Sequence, residues 1–195
     1  MESDALTGTQ IMEYFARTNR SSCGLAHDFG GKILGNPPGK DGQKVVCIDP
    51  QVAPQARNCL VYSFGINNEW SFDEEMEEYG CEVFAFDPSM EMEPHDHTPG
   101  IHFYNWGLSD RDEIEIHDNG TEWQMYSLSS VYDKLSERHG PTVIDYLKID
   151  IGTLYAIGIR YTVHRQFHAS SIVESAGGIR NGMVQHSTRR VCTGT

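Results

Sequence analysis

The run Asn58-Cys59-Leu60-Val61-Tyr62-Ser63-Phe64, cut off by Gly65, constrains the fold more than any other part of the sequence. It is rich in β-formers and nearly apolar on both alternations, as expected of a strand covered on both faces, and such strands are characteristically parallel. Parallel neighbours need crossover connections, and the chain that follows supplies them. Ser71 to Tyr79 reads as a short helix with Ser71 as N-cap, Glu74 in the capping-box position and Gly80 as its stop. Cys81 to Asp87 is a second strand, broken by Pro88, and Gly100 to Trp106 supplies a third around Ile101-His102-Phe103-Tyr104. Glu113 to His117 alternates and runs into the turn Asn119-Gly120, so it reads as an antiparallel excursion. Ser129 to His139 is a helix with Val131, Tyr132 and Leu135 inward, closed by Gly140-Pro141, and Val143 to Asp150 is a fourth strand. This rhythm predicts an α/β sheet.

Ahead of it, Leu6 to Arg17 has roughly helical apolar spacing, Ser21 to Gln43 is loop-like with repeated Gly and Pro breakers, and Lys44 to Asp49 is a short strand ended by Pro50. Residues 1–50 are therefore expected to be an extension packed on the core, and residues 51–151 the core itself. With 195 residues, one domain is expected. The net charge of -13 argues against a protein that grips nucleic-acid phosphates. No stretch reaches the roughly 18 apolar residues of a membrane span, and Met1-Glu2-Ser3-Asp4 lacks a basic signal n-region, so the chain reads as soluble.

The charge is unevenly distributed. Residues 1–151 hold 10 Lys and Arg against 27 Asp and Glu, whereas residues 152–195 hold five Arg and one acid, Glu174. The balance turns from -17 to +4 at one position, where the texture also becomes rich in Gly, Ser, Thr, Arg and His.

In open α/β sheets ligands bind beyond the carboxyl ends of the strands, near the point where strand order reverses. Gly65 lets the backbone turn and approach a ligand, and Asn67 and Asn68 tolerate unusual dihedrals. Asp87 ends the second strand 22 residues after Gly65, close to the roughly 20-residue offset at which an acid meets ribose hydroxyls. On spacing alone, the plainer reading stands beside it: Gly65 ends a strand and Asp87 starts an Asp-Pro turn. A full G-x-G-x-x-G is lacking, which disfavours NAD, whose pyrophosphate needs close backbone approach along the whole turn. S-adenosylmethionine has no pyrophosphate, so one glycine suffices.

The blocks Cys59 to Asp73 and Gly80 to Ser89 closely resemble the methyltransferase-like protein 24 group, itself similar to FkbM-type S-adenosylmethionine-dependent methyltransferases. Val46 to Pro50, Phe103 to Asp110 and Tyr146 to Asp150 share the resemblance, which covers most of residues 10–151. It implies a Rossmann-like class I methyltransferase sheet with Ser63, Phe64, Gly65 and Asn67 in the first cofactor loop. Asp87 would take the cofactor ribose, with Ser89 shaping its loop. Asp110 would lie near the adenine, and Asp150 near the methionine end or the acceptor. Ser63 departs from the superfamily, in which many members carry an acid there. Relatives in the group can carry an N-terminal membrane anchor, and the secretory pathway is a candidate compartment for them.

After Ile151 the resemblance ends at the charge switch. A sheet of this class needs about three more strands and two or three helices, and 44 residues are short for them. Residues 152–195 are thus expected to be an aberrant, partly disordered tail from an alternative exon, a retained intron or a shifted frame, leaving the sheet incomplete and its fourth strand an open edge.

The remaining constellations are read plainly. His95-Asp96-His97 and His102 offer imidazoles but read as a solvated loop, and no metal is expected. Gly35-Asn36-Pro37-Pro38-Gly39-Lys40 lacks phosphate-loop spacing. Cys59 and Cys81 read as buried thiols, with the alternative that Cys23, Cys47, Cys59 and Cys81 form two disulfides in any of three pairings. Asn19 and Asn119 match glycosylation patterns. Asp73, Glu74, Glu75, Glu77 and Glu78 read as a solvated helix face, and Trp70, Trp106 and Trp123 individually as core. Three functions follow, in order. The first is transfer of a methyl from S-adenosylmethionine to a small-molecule, glycan or protein acceptor, with no catalytic base identified. The second is a truncated, inactive binding module, and the third a nicotinamide-dependent oxidoreductase.

Overall fold

The computed structural model describes residues 23–35 and 38–151, and beyond them the strand backbones at 172–175, 179–180, 183–184 and 188–191. The expected helix at 6–17 and the Asn19 sequon lie outside the described residues.

Four short strands come first: β1 (Ala26–Phe29), β2 (Lys32–Gly35), β3 (Pro38–Asp41) and β4 (Lys44–Cys47). β1 pairs antiparallel with β4, and β2 with β3 as a hairpin. The glycines and prolines that made 21–43 look like loop instead end strands of four residues each.

The core follows as β5 (Cys59–Phe64), α1 (Ser71–Tyr79), β6 (Cys81–Phe86), β7 (His95–Thr98), β8 (Ile101–Tyr104), β9 (Trp106–Leu108), β10 (Glu113–Ile116), β11 (Glu122–Tyr126), α2 (Leu128–His139) and β12 (Tyr146–Ile149). A 3-10 turn at Pro88–Met90 follows β6. Four more strands are β13 (Ile172–Ser175), β14 (Ile179–Arg180), β15 (Met183–Val184) and β16 (Thr188–Val191). The main sheet runs β16-β13-β12-β5-β6-β8-β7. Its five central strands are mutually parallel, and β7 and β16 close the two edges antiparallel. The excursion forms a separate sheet, β10-β11-β9.

β5 is buried at every residue, which is what its unbroken apolar run requires. Its alternation sorts the core into two layers. Cys59 and Val61 face Phe72 and Met76 of α1, while Leu60, Tyr62 and Phe64 face Leu128, Val131 and Leu135 of α2. Each large side chain removed from water here contributes about 1.5–3 kcal/mol. The Tyr62 hydroxyl, whose pKa burial pushes far above the ordinary phenol value, is satisfied by His139 Nε2 at 2.8 Å. His139 Nδ1 faces the Gly140 carbonyl at 2.6 Å and carries the proton, so Nε2 accepts and Tyr62 donates.

The helix ends differ from expectation. Trp70 holds the N-cap position of α1 without a side-chain cap. Ser71 lies just inside, where its N–H donates to Glu69 Oε1 at 3.1 Å and its hydroxyl to Glu69 Oε2 at 3.0 Å. The stop at Gly80 is as expected, with φ 109°. α2 is capped by Ser127, whose Oγ accepts from Ser130 N at 3.2 Å.

The cysteines form bridges, and one of the three pairings is realised: Cys23–Cys47 and Cys59–Cys81. Cys59 and Cys81 are register partners on adjacent parallel strands, so the bridge staples β5 to β6 at their beginnings. The first bridge ties residue 23 to β4.

The histidine segment is a strand, β7, rather than a loop. Its Asp96 carboxylate accepts from His102 Nδ1 at 2.7 Å and Arg138 at 2.6 Å, and His97 stacks on Trp70 at 4.0 Å. The fourth strand is likewise no open edge: Leu147, Lys148 and Ile149 pair with Ile172, Val173 and Glu174 of β13, which β16 covers in turn. Four short strands, β13 to β16, lie within 152–195, the stretch expected to be a partly disordered tail. No helix among the described residues is long and apolar enough to cross a membrane.

Candidate functional site

From β5 the chain steps through β6 to β8 on one side, then returns to β12 on the other. Strand order therefore reverses between β5 and β12, and their carboxyl ends, Phe64-Gly65 and Ile149-Asp150, mark the crevice where α/β sheets bind ligands.

Gly65 is left-handed, with φ 75°, and a Cβ placed on it would lie 2.0 Å from the Asp150 carbonyl oxygen. Only glycine lets the two strand ends come this close. Its N–H donates to Phe86 O at 2.9 Å, and Asp150 N donates to Phe64 O at 3.0 Å, tying the loop to both neighbours. Asn67 and Asn68 follow in left-handed conformation, with φ 44° and 56°, as their residue type allows.

Asp87 is buried at the end of β6. Its Oδ2 accepts from Asn67 N at 2.8 Å, and its Oδ1 from Ser89 N at 2.9 Å and Ser89 Oγ at 2.6 Å. One carboxylate thus organises the loop after β5 and the turn after β6. Each carboxylate oxygen can accept two hydrogen bonds, so Oδ2 retains acceptor capacity for a ligand hydroxyl. Gly107 of β9 packs on the same turn, its Cβ direction ending 3.2 Å from Pro88 Cγ.

Of the residues singled out in the sequence, the structure brings Gly65, Asn67, Asp87, Ser89 and Asp150 together at the crevice. Phe64 instead faces the α2 layer, stacked on Phe86 at 4.4 Å, and Ser63 is fully buried in the α1 layer. Asp110 is exposed beyond β9, with Ser109 Oγ 3.4 Å away.

Beneath the crevice, on the α1 side, lies a polar group that the sequence reading missed. Lys148 stands in register beside Ser63 on the adjacent strand, is 4 % exposed, and donates from Nζ to the Gly65 carbonyl at 3.3 Å. Lys44 of β4 is likewise buried and pairs with Asp150 Oδ2 at 2.9 Å. Asp73, in the first turn of α1, is 0 % exposed, which corrects its reading as part of a solvated face. Neither of its carboxylate oxygens nor Ser63 Oγ meets a hydrogen-bond partner among the described residues. Burial raises the Asp73 pKa, opposed by the Lys148 charge and the nearby Ser63 hydroxyl. Burial lowers that of Lys148, opposed by the charges of Asp73 and Asp150. Three of the other acids of α1 act as anchors, Glu75 accepting from Gly30 N, Glu77 from Gly100 N and Glu74 from His97, while Glu78 is exposed.

Some of this was legible. Asp73 lies three residues before Met76 and next to Phe72, so it falls on the inner stripe of its helix. Lys148 interrupts an apolar strand at an alternate position. Lys44 carries no local signal, because its burial depends on where β4 docks.

As for a metal, Cys23, Cys47 and Asp49 do converge. The two thiols are joined, however, and Asp49 accepts from Gly24 N and Leu25 N.

A family model described as a methyltransferase domain matches residues 25–163. No curated protein and no solved structure gives a significant match.

Proposed function

Because the chain belongs to this methyltransferase-domain family, we propose that it binds S-adenosylmethionine at the β5/β12 crevice and transfers the methyl group to an oxygen or nitrogen acceptor of a small molecule, glycan or protein. The observation that carries the reading is the Asp87 carboxylate. It joins the loop after the single glycine to the turn after β6 and keeps acceptor capacity at Oδ2. In this reading Asp87 takes a ribose hydroxyl, Gly65 and Asn67 bring backbone close to the ligand, and Ser89 holds the carboxylate in place. The turn carrying Asp110 borders the adenine, and Asp150 borders the methionine end. The finer resemblance to the methyltransferase-like protein 24 and FkbM-type groups belongs to the same proposal.

Held by Gly65, Asn67 and Asp87, the cofactor would supply an electrophilic sulfonium methyl, and the acceptor would supply the lone pair that takes it and give up its proton to solvent. The chain's own contribution is positioning, because in-line approach of the acceptor governs the rate. The two disulfides support folding in an oxidising compartment.

Calorimetry of the full chain with S-adenosylmethionine, S-adenosylhomocysteine and NAD tests the proposal. Binding of the first two, weakened about tenfold or more in Asp87→Ala, is the expected result, since a hydrogen bond to a charged group contributes about 1.5–3 kcal/mol. A preference for NAD, or a folded chain that binds none of them, would overturn it.

A further inference from the structure

We infer that Lys148 is a positioning residue for the cofactor loop, holding the Gly65 carbonyl from beneath, and that the buried Asp73 is the counter-charge that this ammonium requires. The ligand named in the test rests on the proposed function; the loop-positioning role does not.

An ammonium taken out of water carries a penalty of several kcal/mol, and a strand of the sequence Tyr-Leu-Lys-Ile would be better packed with an apolar residue at that position. Lys148 nevertheless points into the α1 layer, where its hydrogen bond goes to the carbonyl of the left-handed glycine at the strand-order reversal. That carbonyl follows a left-handed residue just past the end of β5, and among the described residues it meets no backbone donor. An ammonium supplies three donors on a flexible stem and fixes the orientation of that peptide, and with it the path of the loop through Asn67.

The charges around Lys148 come from every element packed against it. Asp73 comes from α1, Asp150 from the end of its own strand, Glu69 from the loop after β5 and Lys44 from β4. Asp150 is engaged by Lys44 at 2.9 Å and Glu69 by Ser71 and Lys32, which leaves Asp73 as the fully buried carboxyl group of this set that meets no hydrogen-bond partner among the described residues. Lys148 Nζ and the Asp73 oxygens are not in direct contact. The pair therefore acts through the field of a low-dielectric layer, in which charges interact strongly over several ångströms. Phe72, whose ring centroid is 5.9 Å from Nζ, helps to keep that layer dry.

Removing the Asp73 charge removes an influence that holds the Lys148 pKa up, so the ammonium is lost at lower pH. A loop held by that ammonium then weakens as pH rises. A purely packing role for Asp73 would give an affinity loss independent of pH.

The test is calorimetric titration of the full chain with S-adenosylhomocysteine from pH 6 to pH 9. Lys148→Met is expected to bind about tenfold more weakly or worse, the range for a lost charged hydrogen bond. Asp73→Asn is expected to bind nearly as the wild type at pH 6 and progressively more weakly towards pH 9, while the wild-type profile changes less. Unaltered binding by Lys148→Met, or a profile of Asp73→Asn parallel to the wild type, overturns the inference. Should either variant fail to fold, the wild-type chain still decides by NMR. The Lys148 Cε and Gly65 carbonyl carbon resonances are expected to titrate with one shared midpoint, and a Gly65 carbonyl that does not follow Lys148 overturns the inference. Shared titration in a chain that does not bind S-adenosylhomocysteine would support the role of Lys148 and refute the cofactor instead.

Discussion

Replacing Gly65 by alanine puts a methyl group where the structure has least room for one. Two costs combine. The first is the left-handed backbone at φ 75°, which an L-residue adopts at a cost of about 1–2 kcal/mol. The second is contact: the new Cβ would stand 2.0 Å from Asp150 O and 2.7 Å from Asp150 C, both backbone atoms in an extended segment that cannot rotate aside. Relief requires the ends of β5 and β12 to part, and overpacking of this kind costs about 1–3 kcal/mol. A matched control separates the two costs. Gly120 has nearly the same dihedral, φ 82°, but a Cβ there meets nothing within 4 Å. Gly120→Ala should therefore show the backbone cost alone, and Gly65→Ala the sum of about 2–5 kcal/mol. At about 2–4 °C per kcal/mol for a chain of this size, calorimetric melting should place Gly65→Ala roughly 4–20 °C below the wild type, with Gly120→Ala about 2–8 °C below. Gly65→Ala should also lose S-adenosylhomocysteine binding, and Gly120→Ala should keep it. Equal melting points for the two variants would refute the close approach of the strand ends.

Three further outcomes are expected. Ser63→Asp should lower the melting temperature by setting a second carboxylate beside Asp73, and adding Asp73→Ser should restore much of the loss; additive effects in the double-mutant cycle would show that the two positions do not share one site. Mass spectrometry after alkylation without reduction should find Cys23, Cys47, Cys59 and Cys81 protected, and removing the Cys59–Cys81 bridge, with its separation of 22 residues, should cost about 3 kcal/mol of stability in denaturant titrations. His102 and then Arg138 hold Asp96 below the ordinary carboxylate pKa, so its stabilising effect is present above that ordinary value and is lost as pH falls through the lowered one. Asp96→Asn should flatten the acid limb of a stability-against-pH curve, and an unchanged limb would count against the pairing.

The order of β5, α1, β6, β8, α2 and β12 was legible because each of these elements buries a face, and burial writes its period into the sequence, whereas β7, with no fully buried residue, was read as a loop. The Asp87 offset was legible for a related reason: a crossover of fixed size separates the ends of adjacent parallel strands. Three things were not. The short strands at 26–41 carry no apolar period, since several of their described side chains are exposed. The cysteine pairing depends on register, which puts Cys59 opposite Cys81, and on the antiparallel docking of β1 on β4, which brings residue 23 to Cys47. The pairing of β13 with β12 links residues across a segment whose composition changes sign, and local composition says nothing of partners so distant in sequence.

The buried charges also bear on Ser63, the position at which many methyltransferases carry an acid. Ser63 is fully buried, beside Lys148 in register and next to Asp73, which reaches it from the helix that follows the loop. A carboxylate at position 63 would share this dry layer with Asp73, and two like charges at such range cannot both ionise without a large penalty. The layer thus has room for one acid on this side of the strand, and the chain supplies it from α1 instead of β5. A neutral hydroxyl at 63 is then what the presence of Asp73 demands. The buried carboxyl group of this layer is thus carried by α1, next to Ser63 of β5 and within the field of Lys148.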